Sequence, residues 1–417
     1  MKNNTLTPQI RFKGFEEEWK KYELKQAASE FKYGLNASAT SFDGIHKYLR
    51  ITDIDDTSRL FKTDDITSPL IETYSDEFQL KANDIVFART GASVGKSYIY
   101  RESDGEVYWA GFLIRASIID EFDSYFIFEF SQTDSYLKYI SITSQRSGQP
   151  GVNAEEYAAL TFNAPSLSEQ SAIGEYFRMV DELMAEAQRE VSRLEKMKQA
   201  SLQKMFPRPG ESVPEVRFAG FTEDWKTVRL GDYASFSRGQ GYTKNDLQES
   251  GTPIFLYGRL YTKYSTYVES VDTFSHITPS SVMSRGKEIV MPSSGETAED
   301  IAVASAILSK GIILGGGLNI IIPKDGVESI FLALSLTYGS AHKELAKKAQ
   351  GKSVVHIYNQ DIADLSVSFP ESLAEQAAIG EYFRNLDSLI DARRRRVAKL
   401  RDIKKACLDK MFAAPAP

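Results

Sequence analysis

Between Pro165 and Pro207, apolar residues recur at alternating steps of four and three: Ile173, Phe177, Val180, Met184, Ala187, Val191 and Leu194, continued by Lys198, Ser201 and Met205. A 3.5-residue period keeps one stripe turned toward a partner and predicts a coiled-coil helix. The same steps return between Pro370 and Pro415, through Ile379, Phe383, Leu386, Ile390, Arg393, Val397, Leu400, Lys404, Cys407 and Met411. No proline interrupts either run. Each therefore predicts a continuous helix of about 38 residues, or ~57 Å at 1.5 Å per residue. The polar members of the stripe argue against a homodimeric zipper and for two non-identical helices of one chain, packed antiparallel. Ser168 and Ala374 are placed at the helix starts, with the serine as N-cap. Over about 25–160 and 231–365, short β-prone runs alternate with glycine turns.

The chain is written twice. Ile10-Arg11-Phe12-Lys13-Gly14-Phe15, followed by Trp19, returns 206 residues later as Val216-Arg217-Phe218-Ala219-Gly220-Phe221 and Trp225. Glu169-Gln170 and Ala172-Ile173-Gly174-Glu175-Tyr176-Phe177-Arg178 return with the same offset as Glu375-Gln376 and Ala378 to Arg384, and Met205-Phe206 returns as Met411-Phe412. The copies agree at their ends and differ between them. One frame presenting two different recognition surfaces explains that segregation; uniform drift after duplication does not. The boundaries read as a globular region over 1–164, a long helix over 165–207, a second globular region over 208–369, and a second long helix with a tail over 370–417. Pro207-Arg208-Pro209-Gly210 serves as the linker.

A chain of 417 residues with 42% hydrophobic and 26% charged positions is ordinary globular protein of two to four domains. Its single cysteine, Cys407, rules out an intramolecular disulfide framework and fits a reducing cytoplasm; by its place on the stripe it is a small core residue. Met1 to Thr5 lacks the apolar core of a signal peptide, and no apolar run approaches the ~20 residues of a membrane span. The expectation is a soluble cytoplasmic protein. A net charge of −7 counts mildly against coating nucleic acid unaided, since sequence-independent affinity comes from neutralised phosphates.

Arg89-Thr90-Gly91-Ala92-Ser93-Val94-Gly95-Lys96-Ser97 ends like a phosphate-binding loop. That motif needs four residues between its glycines and a helix after it. Here three residues intervene, and the following Tyr98-Ile99-Tyr100 is β-prone. Gly315-Gly316-Gly317 is followed by another β-prone run and reads as a bulge or turn. The four histidines, His46, His276, His342 and His356, have no metal-ligand spacing, so no metal site is expected. Asp55-Asp56 and Asp64-Asp65 sit in polar loops as solvated surface. No catalytic motif emerges.

The opening motif R-F-x-G-F-x-x-x-W (Arg11 to Trp19, Arg217 to Trp225), the element D-I-V-F-A-R-T-G-A-S-V-G-K, and the helix signature E-Q-x-A-I-G-E-Y-F ending in K-M-F together resemble the specificity subunits of type I restriction-modification enzymes. The resemblance covers essentially the whole chain, in both copies. It implies an α+β fold: two target recognition domains joined by two long antiparallel coiled-coil helices, related by a pseudo-two-fold repeat. It further implies a non-catalytic subunit of a phage-defence complex that recognises a bipartite DNA site, one half-site per domain. Two methyltransferase subunits, carrying S-adenosylmethionine, would methylate adenine N6 on a flipped base; restriction subunits using ATP and Mg would join where present. The chain itself would need no cofactor and no metal. A two-lobed protein-binding scaffold, or an enzyme using the Gly91–Ser97 loop for nucleotide, are the rival readings.

Base edges are read by hydrogen bonding and phosphates by cations, which selects polar loops of the variable regions. The DNA-binding candidates are Lys32, Tyr33, Asn36, Arg89, Thr90, Lys96, Ser97, Gln145 and Arg146 in the first copy. In the second they are Arg238, Gln240, Tyr242, Lys244, Tyr257, Arg259, Ser293, Ser294 and Lys352. The helix seam and partner-binding candidates are Ile173, Phe177, Val180, Met184, Val191, Leu194, Ile379, Phe383, Leu386, Ile390, Val397 and Leu400. Arg393 to Arg396 could touch phosphate, pair with acidic residues of a partner or of the first helix such as Glu186 and Glu190, or form a solvated face.

Overall fold

In the computed structural model, residues 7–146, 148–348 and 355–412 are described, apart from the side chains of 298 and 299. Two helices, Leu167–Lys204 and Leu373–Met411, run 38 and 39 residues. Both begin slightly earlier than the sequence suggests. Ser166 and Ser372, rather than Ser168 and Ala374, precede them, and the Ser166 and Ser372 carbonyls take the first N–H bonds from Glu169, Gln170, Glu375 and Gln376. The chain forms two compact units, residues 1–190 with 393–417, and residues 191–392. Each unit is therefore closed by the beginning of one long helix and the end of the other.

The first unit holds an antiparallel sheet in the order Ala28–Tyr33, Leu113–Ile118, Asp84–Ala88, Ser97–Ile99. Asp84–Ala88 is buried along its whole length, as its unbroken apolar run requires. A short ladder of Lys20–Glu23 with Thr161–Ala164 joins the two ends of the globular region. In the second unit the matching sheet runs Ala234–Arg238, Leu318–Pro323, Ile289–Pro292, Ser305–Ile307, with Tyr267–Val268 added parallel at its edge. Lys226–Arg229 with Ser366–Phe369 repeats the closing ladder. The Gly315–Gly317 segment is the turn between two strands.

The repeated motifs turn out to be one fastening device, built twice. Arg11 grips the buried Glu169 carboxylate with two bonds, 2.6 and 2.7 Å, and Arg217 grips Glu375 at 2.6 and 2.8 Å. Such a fork satisfies both oxygens of a carboxylate removed from water. The next residue, glutamine, accepts the N–H of a short helix's N-cap: Gln170 from Asp123 and Gln376 from Glu328. Trp19 packs on Phe126 and Phe412, and Trp225 on Phe331 and Phe206. The methionine and phenylalanine of each terminal K-M-F are thus core, and the arms that carry the tryptophans pair backbone to backbone with its exposed lysine: Ile10 N–H to the Lys410 carbonyl, Val216 N–H to that of Lys204.

Of the twelve apolar seam residues named above, Leu194 and Leu400 are half-buried and the others are buried. The polar seam positions pair across the helices inside each unit. Lys198 meets Asp387 at 2.5 Å and Lys404 meets Asp181 at 2.7 Å, with Ser201 on Tyr382 at 2.9 Å and Cys407 on Tyr176 at 3.3 Å. Every partner is displaced by the same 206 residues, and the polar members specify which two helices pair. Arg393 binds Glu190 at 2.5 Å; Arg395 and Arg396 are exposed.

The equivalence breaks at one place. In the first unit the Lys404 ammonium also reaches Glu129, at 2.9 Å, and Glu129 is fully buried. The matching position in the second unit is Leu334, fixed by the shared N-cap and glutamine contacts of Ser124–Phe130 and Ser329–Tyr338. Burial pushes the Glu129 carboxyl up to about 8, against the pull of Lys404 and reinforced by Asp181. Two carboxylates facing one ammonium retain a proton.

Candidate nucleic-acid interface

Three of the loops selected from the first copy converge at the end of the sheet. The Gly91 N–H donates to the Pro150 carbonyl at 3.0 Å, the Val152 N–H to Arg89 at 2.9 Å, and the Arg89 N–H to Phe112 at 3.0 Å. Gly34 and Leu35 donate to the carbonyls of Leu113 and Trp109, and Gly111 returns a bond to Leu35 at 2.7 Å. A Cβ on Gly34 would lie within 3.0 Å of the Trp109 and Ala110 carbonyl oxygens, so this chain crossing admits glycine alone. The result is a rim carrying Tyr33, Asn36, Arg89, Thr90 and, on the neighbouring segment, Gln145 and Arg146. Phe112, exposed at the turn beside Arg89, escaped the sequence reading because only polar residues were sought there.

The second copy builds the same crossing. Gly239 and Gln240 donate to Leu318 and Leu314, Gly316 donates to Gly241, Ser293 donates to Gly317, and Ile357 donates to Ser293. A Cβ on Gly239 would collide with the Gly315 carbonyl. The corresponding rim carries Arg238, Gln240, Lys244, Tyr257, Ser293 and Ser294. Ser294 lies in a two-residue strand opposite His356, where the first copy has a bridge of Thr90 with Gly151. Backbone frame and hydrogen bonds are shared; the side chains on them are not.

Several selected residues are bound up within the protein. Lys96 is buried: its ammonium donates to the Ile54 carbonyl at 2.7 Å and pairs with Asp56 at 2.5 Å. Ser97 is buried against the Ser131 hydroxyl at 2.7 Å. The Gly-Lys-Ser stretch is a clamp on residues 51–56, neither a phosphate loop nor an outward-facing hairpin. Lys32 pairs with Glu77, its ammonium 4.6 Å from the Phe78 ring; Arg259 pairs with Asp272, and Arg146 with Glu156. The Tyr242 hydroxyl is held by the His276 carbonyl at 2.7 Å and by Ser281. These six leave the set of free contacts, except that exposed Arg146 keeps its place on the rim. Lys352, with the Gln350–Ser353 stretch, and Ser147 lie outside the described residues. Replacing Lys96 by methionine is expected to destabilise the first unit by about 1.5–3 kcal/mol, the scale of a hydrogen bond to a charged group, while leaving the salt dependence of DNA binding unchanged. A log–log salt slope reduced by about one would make Lys96 a phosphate contact after all.

The two rims also share an arrangement the sequence did not disclose. The Arg89 guanidinium lies 4.8 Å from the centre of the Tyr33 ring, and that of Arg238 lies 5.6 Å from the centre of the Tyr358 ring. Among the described residues neither arginine has a carboxylate in ion-pair range, in contrast to Arg146 and Arg259. With the copies slid by 205, the offset that Gly34 and Gly239 require, Arg238 falls on Tyr33, while Tyr358 falls on Asn153, which carried no signal in the first copy. Among the described residues no group of three or more His, Cys, Asp or Glu side chains is placed to hold a metal, and no helix is long and apolar enough to cross a membrane.

A family model described as the type I restriction modification DNA specificity domain matches residues 16–195 and again residues 222–401, the same step of 206. Two proteins of Methanocaldococcus jannaschii are similar over most of the chain. The type I restriction enzyme MjaVIII specificity subunit is 20% identical over 83% of this chain and 82% of its own. The putative MjaX specificity subunit is 23% identical over 94% and 92%. The crystal structure of a type I restriction-modification S subunit from M. genitalium superposes with a TM-score of 0.67 at 16% identity, covering 99% of this chain and 100% of that one.

Proposed function

This chain belongs to the type I restriction-modification DNA specificity family, and on that premise we propose that each of its two rims reads one half of a split DNA site. The observation that carries the reading is a single backbone crossing, built on Gly34 and on Gly239, that presents different side chains in each copy. A bipartite asymmetric site needs two different surfaces on one frame; a protein-binding scaffold has no need of that identity beneath the difference. Phosphate contacts set register and base contacts set sequence, so the polar rims supply the second and partner subunits much of the first.

The chain contributes recognition and no chemistry. Two methyltransferase subunits, carrying S-adenosylmethionine, dock on the helices, and adenine N6 is methylated on a flipped base. Restriction subunits with ATP and Mg extend the same assembly. The helix exteriors support two equivalent docking positions: Leu167 and Leu373, Leu183 and Leu389, and Met197 and Ile403 recur 206 residues apart with at least partial exposure.

Expression with the cognate methyltransferase, followed by sequencing of methylated adenines, is expected to give one split motif. Exchange of residues 231–365 for the corresponding region of another specificity subunit is expected to change one half of that motif and leave the other half intact. Changes in both halves, or no motif dependent on this chain, would defeat the assignment.

A further inference from the structure

We infer that Arg89 and Arg238 each read a guanine, one in each half-site, and that Tyr33 and Tyr358 hold them in position to do so. The inference rests on the half-site reading above and deepens it. In the first copy the aromatic ring belongs to the sheet strand Ala28–Tyr33 and the arginine to the end of Asp84–Ala88. In the second the arginine stands at the strand position matching Tyr33, and the ring comes from the N-cap of Asn359–Ala363. The pair is thus kept while both members stand at new frame positions, the arginine where the first copy has Tyr33 and the ring where it has Asn153.

The Tyr33 ring and the Tyr358 backbone are fixed independently of the arginines. The Tyr33 hydroxyl accepts the Ala154 N–H at 3.2 Å, at the start of Ala154–Ala158. The Tyr358 N–H donates to the Asp361 carboxylate at 3.0 Å, at the start of the equivalent helix. The Arg89 backbone is bonded on both sides, to Phe112 and Val152. A guanidinium stacked on an aromatic face keeps its donors free at its edge. That edge matches O6 and N7 of guanine with two parallel hydrogen bonds, the commonest specific contact in the major groove.

A phosphate contact predicts a different pattern. Backbone phosphates recur identically in both half-sites, so a shared frame would keep a phosphate-binding cation at one frame position. Here the guanidinium moves from the end of one strand to the end of another. Moving the reader on a constant frame changes which base pair is read, which is what two unlike half-sites demand. Lysine in place of arginine separates the two cases, since it keeps the charge and loses the planar fork.

The test uses the full chain in complex with its methyltransferase, with affinities measured for the cognate duplex and for duplexes substituted singly at each position. Arg89→Ala and Arg89→Lys are both expected to erase about ten- to a hundredfold discrimination at one G·C pair of one half-site. Arg238→Ala and Arg238→Lys should do the same in the other half-site alone. Tyr33→Leu should lower that discrimination in part, and Tyr33→Phe, which keeps the ring, should largely restore it. If Arg89→Lys retains full discrimination while Arg89→Ala weakens every duplex equally, the arginine is a phosphate contact and the inference is wrong. Loss of discrimination at an A·T pair, or in both half-sites, would overturn it as well. Failure of the half-site reading itself looks different: the unaltered complex would then show no split preference.

Discussion

Replacing Lys404 by methionine is expected to destabilise the first unit by about 3–5 kcal/mol, the cost of leaving a buried charge without its partner. Lys404 stands between Glu129 and Asp181, all three buried, so its removal leaves two carboxylates facing each other without a cation. The equivalent Lys198 pairs with one partly exposed carboxylate, and its replacement should cost no more than about 1 kcal/mol. The double change of Lys404 to methionine and Glu129 to leucine should cost less than the sum of the single changes, because leucine is what the second unit already carries at that position. Glu129 also gives the first unit a pH dependence of its own. With the folded carboxyl near 8 and the ordinary glutamate value at 4.5, the native state holds the extra proton between those limits. The stability this proton contributes is full below about 4.5 and is lost as pH rises toward 8. Hydrogen exchange of Ser124–Phe130 at pH 5.5 and 8, with Ser329–Tyr338 as the internal comparison, reads both effects. An equal pH response in the two helices, or a slope that survives Glu129→Leu, would refute them.

The helices and fastening motifs were legible because their determinants are local or periodic. A seam at 3.5-residue spacing needs only its own sequence, and a repeated Arg-to-Glu pair announces itself by returning 206 residues later. The variable regions were legible in outline for a related reason: glycine turns and β-prone runs are short-range signals. The fate of their charges was not legible. Lys96 is held by a carboxylate and carbonyls 40 or more residues away in the chain, Lys32 by Glu77, and Arg146 by the capping glutamate of the next helix. No local pattern distinguishes these from Arg89 and Arg238, whose guanidinium groups meet aromatic rings instead. The offset of 205 between the central frames, against 206 at the ends, also hid the equivalence of Tyr33 with Arg238, and Tyr358, opposite Asn153, had no aromatic counterpart to reveal it.

Gly34→Ala is expected to destabilise the first rim by about 1–3 kcal/mol or more, the range for forcing a methyl into a packed site, and to abolish discrimination in the first half-site. The added Cβ would meet the carbonyl oxygens of Trp109 and Ala110, which are backbone and cannot swing aside as a flexible side chain could. Relief requires the strands to separate, and separation breaks the Leu35-to-Trp109 and Gly111-to-Leu35 bonds at 2.8 and 2.7 Å. Those bonds set the spacing between Tyr33 and the turn that carries Phe112, which in turn accepts the Arg89 N–H. Gly148→Ala, with nothing within 4 Å of its added methyl, should be neutral within about 0.5 kcal/mol. Gly239→Ala should act as Gly34→Ala does, but on the second half-site. Faster exchange at the Leu35 and Gly111 amides together with loss of discrimination in the first half-site alone would place the crossing upstream of recognition. If Gly34→Ala loosened those amides and discrimination persisted, the rim side chains would be reading DNA without the frame that both copies share, and the shared frame would need another explanation.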